Sequence, residues 1–256
     1  MRIKTGSGDS DAPRIDPSHV SEFFAKRAEK AQQLGPLRAV IYQDKHPDLA
    51  ERRDAAEKER LLPLLDLRKT DRVLDIGCGT GRWTPLLSSQ TAAYHGTDFS
   101  QGLVEIARKE YENSDNVRYS VLPSVSLYRD ALNEPEGFDK IVVFGLLIYL
   151  NDEDVLETLD RIAHLASDTC SVLIREPVAI DERLTIKEHF SDDLDQTYNA
   201  IYRTEDELRG YFDDTLGKAG FKVIDSGFVF DEASLNNRAE TVQKWFKLHR
   251  TQNVTD

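Results

Sequence analysis

The sequence is poor in cysteine and in long apolar runs. Its only two cysteines, Cys78 and Cys170, are too few for a disulfide framework, and Cys78 lies inside a glycine-rich loop that a disulfide would obstruct. The most apolar stretch, residues 141–150, has the length of a strand and is too short to span a bilayer. We therefore expect a protein of the reducing cytoplasm that does not associate with membranes.

Basic charge is also scarce. Lys and Arg number 33 against 46 Asp and Glu, which gives a formal net charge of −13. Such a molecule repels phosphate backbones and anionic membrane surfaces, and no run of Lys and Arg interleaved with aromatic residues offsets this. We expect no nucleic-acid partner.

The chain divides into three parts by composition. Residues 1–16 are polar and contain Gly, Ser, Asp and Pro, so we expect a disordered tail. Residues 17–69 predict a helical N-terminal cover, with one helix from Pro17 to near Gly35 and a second from Pro47 that Pro63 interrupts. Residues 70–256 predict the folded core.

Short apolar runs alternate with helical stretches from Arg72 onward, which is typical of an α/β fold with a doubly wound, mostly parallel sheet. The predicted strands are 72–76, 93–97, 117–122, 140–145, 171–175 and 222–230, with 240–249 as a hairpin partner of the last. The predicted helices are 80–89, 102–112, 152–166 and 205–219. The segment 177–203 is too long for a minimal connection, so we expect a lid over the site.

A glycine-rich loop, Asp-Ile-Gly-Cys-Gly-Thr-Gly, fills residues 75–81 between a predicted strand and a predicted helix. Glycines at this position let the backbone turn sharply and approach a ligand closely. A dinucleotide loop starting at Gly77 needs a third glycine at position 82, where Arg82 stands, and the Gly-Lys-Ser/Thr end of a Walker loop is absent. The sequence therefore argues against both a dinucleotide-binding loop and a Walker loop.

This loop resembles the first motif of class I S-adenosylmethionine-dependent methyltransferases of the small-molecule type. The resemblance extends over roughly residues 70–230 and implies a Rossmann-like, seven-stranded sheet whose last strand is antiparallel. It implies S-adenosylmethionine as cofactor and S-adenosylhomocysteine as product. On this resemblance Asp75 fixes the ammonium group of the cofactor, and Gly77, Cys78 and Gly79 pack against its methionine part.

A second acidic position, Asp98, follows the loop by roughly 20 residues, as a ribose-binding acid should. On its own Asp98 could be a helix-capping residue, but the loop upstream favours the ribose role. Phe99 is then placed beside the adenine, and Phe144 ends the strand that borders the sulfonium. The stretch 121–125 lacks the acid that receives the adenine amino group in many family members, so Ser124 or a backbone carbonyl takes that place.

The N-terminal residues 23–28, Phe-Phe-Ala-Lys-Arg-Ala, resemble the segment with which many such enzymes cover the cofactor, which makes Arg27 a cofactor candidate. Tyr42 is expected in the same cover. Ordinary helix packing explains the two phenylalanines at least as well.

Methyl transfer requires an aligned acceptor and, for many hydroxyl or ammonium acceptors, removal of a proton. His189, Glu176 and Tyr149 are the candidates for this chemistry. Each has a structural alternative: an exposed loop histidine, an ion pair with Arg175 or with the lid, and a packed aromatic residue, the last being favoured for Tyr149.

The residues expected to contact the acceptor are Tyr42, Tyr198, Tyr202 and Arg203. No metal is expected, because the six histidines show neither H-x-x-x-H nor Cys-His spacing. The preferred function is methylation of an oxygen or nitrogen of a small polar metabolite, with a sugar or amino sugar as first choice.

Three other functions stay open. The acidic run at 192–195, ahead of a Tyr-Arg pair, is similar to protein N-terminal methyltransferases and would suit a peptide amine. A non-catalytic S-adenosylmethionine-binding protein and a dehydrogenase are the others. The sequence also leaves open whether the protein forms a homodimer.

Overall fold

The structure, a computed structural model, describes residues 1–6, 12–42, 44–236 and 238–251. The helices are α1 (Pro17–Leu34), α2 (Pro36–Ile41), α3 (Pro47–Leu61), α4 (Thr84–Ser88), α5 (Gln101–Tyr111), α6 (Arg129–Leu132), α7 (Asp152–Leu165) and α8 (Glu205–Phe212). The strands are β1 (Arg2–Thr5), β2 (Arg72–Ile76), β3 (Ala93–Asp98), β4 (Val117–Val121), β5 (Phe138–Phe144), β6 (Ala166–Ala179), β7 (Arg183–Ser191), β8 (Gln196–Tyr202), β9 (Lys222–Phe228) and β10 (Thr241–Arg250).

Seven strands form the main sheet in the order β4-β3-β2-β5-β6-β10-β9. The first five strands pair in parallel, whereas β10 runs antiparallel to both of its neighbours. This arrangement confirms the predicted α/β fold with an antiparallel last strand.

The central strand β2 shows why the sequence forms this sheet. Val73, Leu74 and Ile76 are almost completely buried because helices cover both faces of the parallel part. The structure reproduces the predicted bounds of this strand. Among the described helices, none has the length and apolar character needed to cross a bilayer.

Two predicted helices are shorter than expected. The helix predicted from residue 80 begins at Thr84, because Gly79 and Gly81 adopt positive φ angles of 56° and 75°, which the right-handed helix cannot continue through. The helix predicted over 205–219 changes at Asp213–Gly217 to the wider π-helical turn. The short α2 was not predicted at all.

The N-terminal tail is corrected in part. Residues Arg2–Thr5 are not disordered but form β1, which pairs antiparallel with β7. Residues 7–11 of the predicted tail lie outside the described residues. The polar composition concealed β1 because its hydrogen bonds go to a strand far along the chain.

The insertion predicted at 177–203 forms an antiparallel hairpin of β7 and β8, which we call the insertion hairpin. With β1 it makes a separate three-stranded sheet. Tyr198, Ala200 and Tyr202 of β8 pack with Phe23 of α1 and Tyr149 in one buried apolar cluster. The hairpin is thereby fixed against the N-terminal cover.

Candidate active site

A cavity of about 580 Å³ opens at the carboxyl ends of the parallel strands. Its floor comes from the segments that follow β2, β3, β4 and β5. Its cover comes from α1, the end of α2 and the insertion hairpin. Ligands of open α/β folds bind at this edge of the sheet, so the cavity is the candidate active site.

The glycine-rich loop and Asp98 meet at this edge. Oδ2 of Asp98 accepts the backbone N–H of Gly79 at 3.0 Å, and Oδ1 accepts that of Ser100 at 2.8 Å. Gly77, Gly79 and Asp98 line the cavity, as does Cys78. Burial raises the pKa of Asp98 to about 6, while the two backbone donors counteract that rise.

Asp75 lies beneath this loop and is not on the cavity wall. Its carboxylate is 3% exposed and accepts the hydroxyl of Tyr94 at 2.8 Å. Burial raises the pKa of Asp75 to about 6. The Asp75 carboxylate therefore links β2 to Tyr94 of β3, and its contact with an ammonium group stays a prediction.

Three other predicted cofactor residues line the cavity. Phe99 packs edge-on against Phe24 of α1, and Phe144 packs against Trp83. Ser124 lies beside Leu122 on the wall that follows β4, where its hydroxyl bonds to that of Thr158 at 2.7 Å. The expected apolar and polar groups are thus brought together, while their roles stay predictions.

Arg27 does not lie on the cavity wall, which corrects its predicted contact with the cofactor. Its guanidinium is fully buried, where it pairs with Asp44 and donates to the carbonyls of Arg38 and Ala39. It also lies over the ring of Tyr42 at 5.4 Å. Arg27 ties α1 to α2 and so positions the cover of the cavity.

The four predicted or candidate tyrosines do meet at the cavity: Tyr42, Tyr149, Tyr198 and Tyr202. The hydroxyl of Tyr198 lies 3.0 Å from that of Tyr202 and 3.4 Å from that of Tyr149. Burial raises the pKa of Tyr42 to about 12 and raises the pKa values of Tyr149 and Tyr198 well above their usual value. The hydroxyls of Tyr42, Tyr149 and Tyr198 are therefore neutral at physiological pH and can both donate hydrogen bonds to a polar ligand and accept them from it.

His189 and Glu176 do not reach the cavity wall, which corrects their prediction as bases acting directly on an acceptor. His189 is half-buried on β7 and is not among the lining residues. Glu176 is 1% exposed, and its Oε1 accepts the N–H groups of Leu146 and Leu147. Glu176 therefore holds the turn after β5, and burial raises its pKa to about 7.

Arg203 also serves this turn and not the cavity, so its prediction as an acceptor contact is corrected. It donates to the carbonyls of Leu147 and Leu150 and pairs with Asp152 at 2.6 Å. Its side chain is almost completely buried. Arg203 fixes the turn that carries Tyr149 and thereby positions the cavity wall.

Sequence reasoning missed Arg53, Glu57 and Gln243, which line the cavity together with Arg82 and Arg175 as a group of charged and polar side chains. The carboxylate of Glu57 accepts a hydrogen bond from Arg175 at 2.9 Å and pairs with Arg82 at 2.5 Å. Arg175 and Glu176 are neighbours in β6, so their side chains point to opposite faces and do not pair with each other. The sequence signals were Arg82, which replaces the third dinucleotide glycine, and Arg175, which lies at the end of a predicted strand.

Comparison with known proteins gives the following relationships. Residues 73–168 match the family model of a methyltransferase domain. The chain is 28% identical over 108 residues to phosphoethanolamine N-methyltransferase 1 of Caenorhabditis elegans, covering 42% of this chain and 22% of that protein. It is 30% identical over 96 residues to demethylmenaquinone methyltransferase of Staphylococcus aureus strain JH9, covering 35% of this chain and 37% of that one. The alignments thus span less than half of either relative.

Among solved structures, phosphoethanolamine N-methyltransferase 1 of Haemonchus contortus, in complex with phosphoethanolamine and S-adenosylhomocysteine, is similar with a TM-score of 0.71. The match has 18% sequence identity and covers 94% of this chain and 51% of that one. The predicted resemblance is confirmed: the chain carries a methyltransferase domain and has the fold of the class I S-adenosylmethionine-dependent methyltransferases.

Proposed function

We propose that this protein transfers a methyl group from S-adenosylmethionine to an oxygen or nitrogen of a small polar molecule. The observation that carries the proposal is the buried carboxylate of Asp98 beside Gly79, in a cavity at the carboxyl edge of the sheet. The methyltransferase domain match over residues 73–168 supports the same reaction class.

The chain's own groups fit this cofactor. Asp98 uses one lone pair on each oxygen for backbone donors, so both oxygens can still accept the vicinal hydroxyls of a ribose. Phe99 offers an apolar face for an adenine ring, and the positive φ of Gly77 and Gly79 lets the backbone approach a ligand closely. When bound, S-adenosylmethionine supplies an electrophilic methyl group on its sulfonium.

The acceptor would lie among the four tyrosines. The hydroxyls of Tyr42, Tyr149 and Tyr198 stay protonated and can align an acceptor atom in line with the methyl group. Neither His189 nor Glu176 reaches this wall, so we assign Tyr149 and Tyr198, which do line it, to orientation of the acceptor. An acceptor that reacts without an ionised protein base fits this wall best.

We retain a sugar or amino sugar as the preferred acceptor, and the amino sugar suits this wall better, because a neutral amine attacks the methyl group through its lone pair and releases its proton to solvent afterwards. Aromatic rings flanked by hydroxyl groups suit a hydroxyl-rich ring, which offers both apolar faces and hydrogen-bonding edges. A peptide amine has less support, because Asp193 of the acidic run is 82% exposed and pairs with Lys45 at the tip of the insertion hairpin. That run is not on the cavity wall.

Incubation with S-adenosylmethionine labelled in its methyl group, together with separate pools of sugars and peptides, tests the proposal. We expect labelled small molecules and no labelled peptides. Labelled peptides alone would refute the sugar, and binding of S-adenosylhomocysteine without transfer to any acceptor would favour a non-catalytic binding protein.

A further inference from the structure

The cavity extends well beyond the predicted cofactor residues. Gly77 follows β2, Asp98 ends β3, and Ser124 lies after β4. These three strands lie on one side of β5 in the sheet. Arg175 of β6 and Gln243 of β10 line the cavity on the other side of β5. We call this second part of the cavity the arginine end, which comprises Arg53, Glu57, Arg82, Arg175 and Gln243.

Two of the three arginines at this end are neutralised by carboxylates of α3. Arg82 pairs with Asp54 at 2.9 Å and with Glu57, while Arg175 pairs with Glu57. These arginines hold the pKa of Glu57 below its usual range, although burial alone would raise it. This part of the wall is therefore an ion network in which both arginines have carboxylate partners, and Lys58 also pairs with Asp54 at 2.6 Å.

Arg53 does not take part in this ion network. It is 5% exposed, and its Nη2 donates to the backbone carbonyl of Asn236 at 3.0 Å. Within the described part of the chain, its Nε and Nη1 have no hydrogen-bond partner and no carboxylate pairs with it. Burial lowers its pKa to about 10.

A guanidinium that is buried without a counter-charge is costly, and arginines in this situation normally meet a carboxylate or a phosphate. The bond to Asn236 accounts for only one of its three nitrogens. Gln243 lies at the same end, 8% exposed, and its Oε1 also has no partner among the described residues. Both side chains therefore have hydrogen-bonding capacity that the described residues leave unused. Because these three atoms expose less than 1 Å² each, the two side chains must rotate toward the cavity to bind a ligand.

We propose that the arginine end binds a carboxylate or phosphate group of the methyl acceptor, with Arg53 as the residue that provides the unbalanced positive charge. That this anion belongs to the methyl acceptor rests on the proposed function, whereas the anion site itself does not depend on it. The proposal narrows the acceptor class to anionic molecules, such as acidic or phosphorylated sugars. The wall of tyrosines would then hold the part of the molecule that is methylated.

The test compares Arg53→Gln with Arg52→Gln in the full chain loaded with S-adenosylhomocysteine. Arg52 is the matched control because it lies on the same helix but is largely exposed and pairs with Glu232 at the surface. Inorganic phosphate and acetate are titrated separately at constant ionic strength, with the melting temperature and calorimetry as readouts.

We expect saturable binding of at least one of the two anions to the wild type and to Arg52→Gln, weakened about tenfold or more in Arg53→Gln. The phosphate and acetate titrations tell the two kinds of acceptor group apart. Equal anion binding by Arg53→Gln, or no saturable binding by the wild type, would overturn the proposal.

A crystal structure of the wild type with phosphate and S-adenosylhomocysteine covers the case that Arg53→Gln does not fold. Phosphate in contact with Arg53 supports the site, and phosphate bound only elsewhere overturns it. Failure to bind S-adenosylhomocysteine at all would instead count against the proposed function, so the two failures are distinguishable.

Discussion

Asp98 and Gly79 are joined by a hydrogen bond of 3.0 Å from the loop backbone to the carboxylate at the end of β3. The bond connects the two motifs that the sequence alone could relate only by their spacing. Because the acid is almost completely buried, its charge depends on these backbone donors and on any ligand that adds to them.

Replacing Asp98 with Asn is expected to weaken the binding of S-adenosylhomocysteine by about 2–4 kcal/mol, since two charge-assisted hydrogen bonds to the ribose are lost. Calorimetric titration measures the change. Asp115→Asn is the control, because that carboxylate is exposed on the surface. An affinity within about threefold of wild type would remove Asp98 from the ribose site.

The same affinity should depend on pH. The pKa of Asp98 is about 6 in the free protein, and a ribose hydroxyl donates to the ionised form. Affinity should therefore be full near pH 8 and fall as the pH drops through 6, by about tenfold for each further unit. Titrations at pH 8, 6 and 5 measure this trend, and a wild type as insensitive to pH as Asp98→Asn would contradict it.

Glu176→Gln is expected to stabilise the protein at alkaline pH. Burial raises the pKa of Glu176 from 4.5 to about 7, so folding favours its protonated form. The associated stability is present below pH 4.5 and is lost as the pH rises through 7. Glutamine keeps an oxygen for the N–H groups of Leu146 and Leu147 without the buried charge.

Chemical unfolding of both proteins at pH 5 and pH 8.5 tests this. We expect the variant to gain on the order of 2–3 kcal/mol over wild type at pH 8.5 and little at pH 5. Lower stability of the variant at both pH values would show that the carboxylate is needed by the turn. Retained methyl transfer would also separate Glu176 from proton removal.

Arg203→Ala is expected to cost on the order of 2–4 kcal/mol of unfolding free energy, because it breaks a half-buried pair with Asp152 and leaves two backbone carbonyls without their donor. Arg14→Ala, which breaks an exposed pair with Glu153, should cost less than about 1 kcal/mol. If Arg203→Ala were as stable as wild type and lost only acceptor affinity, Arg203 would be a direct contact.

Much of the fold follows from local sequence patterns. β2 has three buried apolar residues, Val73, Leu74 and Ile76, and is followed by glycines, and its bounds, the loop and Asp98 were all predictable from neighbouring residues. Such features depend on short-range periodicity and on backbone freedom, both of which the sequence displays directly.

The charged part of the site was not predictable in this way. Glu57 binds Arg175, 118 positions away, and Arg203 binds Asp152, 51 positions away. On the sequence, the acids and arginines of α3 have the pattern of a solvated helix face. Only the tertiary fold determines which of these charges are buried and which carbonyl groups an arginine can reach.

The most direct test of the central claim is a calorimetric titration of the wild-type protein with S-adenosylhomocysteine and, separately, with NAD. The account predicts saturable, one-to-one binding of S-adenosylhomocysteine and no comparable binding of NAD. Tight binding of NAD together with no binding of S-adenosylhomocysteine would contradict it and would make the glycine-rich loop a dinucleotide site.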